Sequence, residues 1–475
     1  VRSTHARLED RRRARGMIRY HAAWVLPVSA EPVRAGTVAV HAGRIVYAGP
    51  RATAPAGEDE DLGEVILCPG LVNAHTHLEL TVMRGFLEGL EFRDWIVRLT
   101  TAKRTVLTRD DLADSARIGV HEAIRAGVTT LADTCDSGVA FDALVDAGVR
   151  GIMYQEVFGP DPAQCDASMA ELRAKVEHFR GRETELVRVG VSPHAPYTVS
   201  DALYAAVAAY ARAERLPVAV HIAESQAESD LVERGEGAFA GGLRGRGIAV
   251  APRARSPLAL LDATGVLALR PLLIHAVRAD AEDVALVRHH DAAVAHCPVS
   301  NARLGHGIAP LARYRDAGAR TGLGSDSVAS NNRMDMLHEA HVATLMHDVA
   351  AGRAGALSAA DALRLATLGG AEALGLDGET GSLDPGKSAD LAAFRIDSPA
   401  GIPIQDPAAA LVHAMNARDT TFVAVAGRVL MRDGRIIDED LALAVRVRDA
   451  GERLRRWRSD VDSHGGPRIP ASPTR

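Results

Sequence analysis

The chain has 475 residues, 47% of them hydrophobic and 24% charged, with a net charge of −6, the balance of an ordinary globular protein. That charge gives no electrostatic ground for a nucleic-acid partner or an anionic membrane, and no stretch approaches the roughly 18 consecutive apolar residues needed to span a bilayer. The four cysteines, Cys68, Cys135, Cys165 and Cys297, are widely spaced, so neither a disulfide framework nor a cysteine zinc knuckle is expected, and a reducing cytoplasm is the expected location.

Residues 1–16 are Arg-rich, and no apolar segment with a small-residue cleavage site follows them. They do not read as a signal peptide and are expected to be a disordered extension. Residues 17–65 read as short strands and turns, with Thr37-Val38-Ala39-Val40, a turn at Gly43 and Arg44-Ile45-Val46-Tyr47 in a hairpin pattern. Residues 381–440 have the same texture, for example Phe422-Val423-Ala424-Val425 and Val429-Leu430-Met431. The two segments are expected to pair into one small β-sandwich built from both chain ends.

Between them, residues 66–380 alternate short apolar runs with Ala/Leu/Arg-rich helical stretches. The runs fall at 66–73, 128–133, 149–157, 186–193, 217–223, 271–276, 291–296 and 320–325. Strands alternating with helices imply a parallel sheet, and eight such units predict a closed (β/α)8 barrel. An open doubly wound sheet would want a Gly-rich phosphate turn after its first strand, where this chain has His75-Thr76-His77. Gly242 to Gly247 follows no strand and reads as loop. From 441 an Arg-rich amphipathic helix is expected to about Ser459. Residues 464–475, rich in Gly and Pro, are expected to be disordered.

In a (β/α)8 enzyme, catalytic groups sit at the C-terminal ends of the strands. The first run ends in His75 and His77, the fifth in His221-Ile222-Ala223-Glu224, the sixth in His275, and the eighth in Gly324-Ser325-Asp326. Each polar residue alone has an ordinary explanation; Asp326, for one, stands where a helix cap would. Four such endings at one barrel mouth point to a metal site. Three imidazoles, His75, His77 and His221, with the Asp326 carboxylate suit one Zn²⁺ or Fe²⁺ with a position left for water. The metal would lower the pKa of that water toward about 7. Glu224 is the expected general acid/base, and His275 the expected residue to orient the water, with a role as fourth histidine ligand left open. Lysine occurs only at Lys103, Lys175 and Lys387. None ends a run, so no carboxylated lysine bridges two metals and a mononuclear site is expected. His338-Glu339-Ala340-His341 is one residue short of the zincin spacing and reads as part of a helix; His289-His290 reads as a solvent-facing helix end.

The motifs Pro69-Gly70-Leu71-Val72-Asn73-Ala74-His75-Thr76-His77, Ser192-Pro193-His194-Ala195-Pro196-Tyr197-Thr198, His221-Ile222-Ala223-Glu224, His275-Ala276-Val277, His296-Cys297-Pro298-Val299-Ser300-Asn301 and Gly324-Ser325-Asp326-Ser327 with Ser330-Asn331-Asn332 together resemble the amidohydrolase superfamily, in its deaminase and chlorohydrolase branch. The likeness covers nearly all of residues 17–437. It implies a metal-dependent hydrolytic deaminase of a 6-aminopurine nucleoside, with Asp326 and His275 holding the attacking water, and it implies a homodimer. Within the branch the chain looks like deaminases of S-adenosylhomocysteine and 5′-methylthioadenosine, a likeness that assigns His194 to the nucleoside and Trp95 to closing the pocket. Those enzymes carry a ribose-gripping Glu beyond the Trp, where ungapped spacing puts Arg104 here. The form His77-Leu78-Glu79 looks instead like the branch acting on 6-aminodeoxyfutalosine in menaquinone synthesis, which makes that nucleoside the expected substrate, with S-adenosylhomocysteine, 5′-methylthioadenosine and adenosine as alternatives; Arg104 would pair with the benzoate and Glu79 would replace the ribose contact. The alternatives are a chlorohydrolase or cyclic-amide hydrolase on the same site, or a non-catalytic barrel, against which the complete set of ligands argues.

Overall fold

The computed structural model describes residues 16–463, so the expectations for residues 1–15 and 464–475 lie outside the described residues. Its centre is a ring of eight parallel strands: β1 (Leu71–Thr76), β2 (Val128–Cys135), β3 (Arg150–Val157), β4 (Val187–Pro193), β5 (Ala219–Ile222), β6 (Leu272–His275), β7 (Ala293–His296) and β8 (Arg320–Leu323). All eight expected runs are therefore strands. They pair in sequence as two four-stranded sheets, β1–β4 and β5–β8. Two seams close the ring, through parallel bridges between Val191 and Val218 and between Thr76 and Asp326. At these seams Val191 N donates to Pro217 O and Asp326 N donates to His75 O, both at 2.9 Å.

Strands β1, β2 and β3 are buried along their whole length, as expected of a parallel sheet covered on both faces. One apolar cluster takes residues from six of the strands, including Val72, Ala132, Tyr154, Ala219, Ile274 and Ala295. Strands spread around a ring share a cluster only inside it, so this is the barrel's filled interior. The first expected run is divided between two sheets. Val65–Pro69 belongs to the outer sheet and β1 begins at Leu71. The break falls at Gly70, where a Cβ would lie 2.1 Å from the Thr129 side chain, a contact that only glycine avoids.

Both chain ends build the accessory domain. Nine strands form one sheet in which Leu391–Arg395, from the second end, pairs antiparallel with Val65–Pro69, from the first. The sheet curls over a common core containing Tyr20, Val38, Ile45, Leu67, Leu391 and Phe422, and its far edge returns through Ile45 N donating to Lys387 O at 2.9 Å. A buried ion pair, Arg150 Nε to Asp390 Oδ2 at 2.8 Å, ties β3 to this domain.

The C-terminal helix, Leu443–Ser463, runs four residues beyond its expected end and buries Leu443, Ala450 and Leu454. Some of its arginines pair with the barrel, as in Arg446 Nε to Asp114 Oδ2 at 2.6 Å. The expected loop at Gly242–Gly247 is in its first part the end of a helix, Gly237–Arg244. Phe239, Ala240 and Leu243 of that helix pack on Tyr197, and this packing overrides the low helix propensity of glycine. His338 to His341 lie inside the helix Met336–Ala351, as expected. Among the described residues no helix is long and apolar enough to cross a membrane.

Candidate metal centre and active site

The C-terminal ends of the strands bring the predicted ligands together. His75 is the penultimate residue of β1 and His77 follows it; their rings stand 4.8 Å apart, nearly perpendicular. His221 of β5 has its ring 4.9 Å from His75 and 5.2 Å from His77. His275, at the end of β6, is 5.8 Å from both His75 and His221. Asp326, after β8, places Oδ1 3.2 Å from His75 Nε2 and 3.6 Å from His77 Nε2. Gly324 permits this approach, since a Cβ there would lie 2.9 Å from His75 Cβ. Ala223, His275, Ala276 and Asp326 all have positive φ, from 45° to 71°. Left-handed backbone at four non-glycine residues around one mouth is the kind of strain that clusters at functional sites.

The donor set fits a metal cation. Burial pushes the His77 ring down to about 3 and the His221 ring well below the usual histidine range, so both imidazoles are neutral at pH 7. His77 Nδ1 donates to the Thr134 carbonyl at 3.0 Å, which leaves Nε2 as a bare acceptor. That nitrogen faces His221 Nε2 at 3.2 Å, and a cation satisfies both lone pairs at once. Burial opposes ionisation of Asp326, but the His75 hydrogen bond and the surrounding imidazoles hold it well below the usual carboxylate range. Three neutral nitrogens and one anionic oxygen are the ligand chemistry of Zn²⁺ and Fe²⁺.

Around the ligands stand groups that orient them. Asp326 Oδ2 accepts from Ser300 Oγ at 2.5 Å and from Ser330 Oγ at 2.8 Å. Asn73 of β1 spans the seam to β8, donating to Ser325 Oγ at 2.7 Å and accepting from Ser325 N at 2.9 Å. His275 Nδ1 donates to Asn301 Oδ1 at 3.0 Å. Such outer partners set ligand geometry and tautomer.

Glu224 lies between two further imidazoles. Its Oε1 is 3.5 Å from His275 Nε2 and 3.2 Å from His306 Nε2. Burial alone would raise its pKa, but His275 and His306 bring it below the ordinary value, so it stands ionised. The buried carboxylate of Glu228 fixes the turn by accepting from Ala223 N at 2.7 Å and Glu224 N at 3.0 Å. An aromatic wall covers this side: Phe92 lies 4.5 Å from His306, and Tyr197 stacks on Phe239 at 4.2 Å.

The expected substrate contacts separate into those the mouth includes and those it does not. His194 is there, its ring 4.8 Å from His221 and 5.0 Å from Phe158. Trp95 is buried one layer back, stacked on Phe92 at 6.3 Å, so Phe92 is the ring that meets the site residues. Glu79 is corrected: it is 1% exposed, its Oε1 pairs with Lys103 Nζ at 2.5 Å and its Oε2 accepts from Ser137 Oγ, so neither oxygen is offered to a ligand. Arg104 is exposed. It lies on the exposed face of the helix Phe92–Thr105, whose buried face carries Trp95, Leu99 and Ala102, and the inward-reaching cation is its neighbour Lys103.

Sequence reasoning missed Glu156, His306 and Phe92. Glu156 stands near the end of β3, 4.0 Å from His194, and the strand-end rule would have found it. His306 is marked by two flanking glycines with positive φ, Gly305 and Gly307. Phe92 carries no signal beyond its place in an amphipathic helix.

The amidohydrolase family model matches residues 66–430. Proteins named 5-methylthioadenosine/S-adenosylhomocysteine deaminase are 32% identical: that of Desulforudis audaxviator over 90% of this chain and 97% of its own length, and that of Moorella thermoacetica over 87% and 93%. The solved structure of a zinc-bound adenosine deaminase from Xanthomonas campestris superposes with a TM-score of 0.82 at 28% identity, covering 92% of this chain and 98% of the other. A zinc complex of atrazine chlorohydrolase from Arthrobacter aurescens superposes with a TM-score of 0.78 over 92% of this chain and 100% of its own, at 23% identity, a likeness of fold.

Proposed function

This chain belongs to the amidohydrolase family and is an aminohydrolase, and we propose that it deaminates adenosine-type nucleosides, exchanging the 6-amino group for a 6-oxo group with release of ammonia. The observation that carries the reading is the placement of an ionised, buried Glu224 between His275 and His306, beside the neutral imidazoles of His77 and His221. His75, His77, His221 and Asp326 would hold one divalent metal, zinc by the chemistry of the set. When bound, that metal supplies hydroxide at neutral pH by acidifying water. Glu224 would carry one proton of the water to the ring nitrogen beside the reacting carbon, where it stays, and the second to the amine, which leaves as ammonia. His275, fixed by Asn301, hydrogen-bonds the attacking oxygen. Phe92, Tyr197 and Phe239 exclude bulk water from the proton path.

The names of the relatives put 5′-thio-substituted adenosines first among the substrates. Of the features that had singled out 6-aminodeoxyfutalosine, Glu79 is paired with Lys103 and Arg104 is exposed. The test is ammonia release by zinc-loaded protein from 5′-methylthioadenosine, S-adenosylhomocysteine, adenosine and 6-aminodeoxyfutalosine. Turnover led by a thio-adenosine supports the reading, preference for 6-aminodeoxyfutalosine redirects it to menaquinone synthesis, and release from none of them refutes it.

A further inference from the structure

The motif His338-Glu339-Ala340-His341 has no part in the reaction above. Glu339 is buried and turned inward, where it accepts from Val299 N at 3.2 Å. His341 leaves the same helix on its outer side, half-buried, and meets His413, which is exposed. Their Nδ1 atoms lie 3.3 Å apart, with the ring centres 5.5 Å apart and the planes at 73°. Neither ring has another hydrogen-bond or ion-pair partner among the described residues. No carboxylate or carbonyl therefore fixes the tautomer of either ring, and both Nδ1 lone pairs are available. Burial and the neighbouring His413 lower the His341 pKa, so that ring is neutral at pH 7. The separation is that of two ligands on one metal: Zn–N bonds of about 2.0 to 2.1 Å at a tetrahedral angle put the nitrogens about 3.3 Å apart. At the barrel mouth His77 Nε2 and His221 Nε2 stand 3.2 Å apart. His413 also belongs to a π-helical turn, Ala410–Ala414, a rare conformation that is frequent at functional sites. The two elements are already held together, since Asp335 at the start of the His341 helix accepts from Ala417 N at 3.0 Å.

We propose that His341 and His413 hold a divalent transition cation of the zinc class, separate from the metal at the mouth, with water completing its coordination. Imidazole suits Zn²⁺, Ni²⁺ and Cu²⁺, and the exposure of His413 leaves room for the waters. The cation clips the helix Met336–Ala351 to the segment 407–419, which leads into the outer-sheet strand Thr420–Val425. A cation that binds the folded chain across two elements stabilises that chain.

The experiment is equilibrium dialysis of the zinc-loaded protein against graded free zinc, for wild type, His341→Ala and His413→Ala. Both rings reach solvent, and Tm without added zinc confirms that each variant is folded. The wild type is expected to take up one zinc per chain more than either variant. Its Tm is expected to rise by about 1 to 4 °C with added zinc, while the Tm of each variant stays where it was. Uptake by the wild type that only equals that of either variant overturns the proposal; this is the result of an imidazole–imidazole hydrogen bond without a cation. A zinc-dependent rise in Tm that survives both substitutions overturns it as well.

Discussion

Two sides of the same barrel mouth are built to opposite rules. On the β8 and β1 side, Asp326 is held at every atom: its backbone N donates to His75 O, its Oδ2 accepts two serine hydroxyls, and its Oδ1 faces the histidines. On the β3 and β4 side, Glu156 Oε1 lies 4.0 Å from His194 Nε2 and has no hydrogen-bond partner among the described residues. A set of atoms fixed before anything binds needs little reorganisation during reaction, which is how electrostatic catalysis gains its rate. The contrast sets a fully hydrogen-bonded side of the mouth against one whose buried polar atoms are incompletely paired.

The largest effect that would sharpen this contrast comes from Glu224→Gln. It should keep stoichiometric metal and lose about 100- to 10,000-fold in kcat, the usual worth of a positioned general acid/base; metal analysis beside steady-state rates checks it. Lys103→Met should cost stability rather than rate, by about 3 kcal/mol, because it leaves the buried Glu79 charge unpaired; thermal unfolding of the metal-loaded protein reads this out. The same pair makes a pH prediction. Burial would raise the Glu79 pKa, but Lys103 and its hydrogen bonds bring it down to about 2 from an ordinary 4.5. Between those values the unfolded chain binds the extra proton, so the pair's contribution is present above pH 4.5 and is lost as pH falls toward 2. Glu79→Gln should flatten the decline of Tm over that range; an unchanged slope would contradict the assignment.

Smaller effects follow. Ser300→Ala together with Ser330→Ala should lower metal affinity or kcat by roughly 10- to 100-fold, as loss of outer partners of a ligand does, seen by chelator competition. Arg104→Ala should change stability by no more than about 0.5 kcal/mol and leave KM where it was, since the side chain faces solvent. A large rise in KM would put Arg104 back in the site.

The legible and illegible parts of the sequence divide along the same line. His75, His77, His221, His275 and Asp326 could be read because a strand end is a fixed address in a parallel barrel, and a period-two run marks where it stops. The wall could not be read that way. On a helix one position turns a side chain by about 100°, so ungapped counting landed on Arg104, while the residue that points inward is Lys103. Glu79 has the composition of a ligand contact, but whether a carboxylate is free depends on Lys103 and Ser137, which only the folded chain brings to it. Phe92 and His306 meet across more than two hundred residues of chain, a contact with no local signature.

The most direct test of the central claim is ammonia release from 5′-methylthioadenosine by wild type and Glu224→Gln, each reconstituted with one zinc per chain. The account predicts the 6-oxo nucleoside and one ammonia per turnover from the wild type, with the variant slower by at least about 100-fold. Zinc-loaded wild type that releases no ammonia, or a variant that matches its rate, would contradict it.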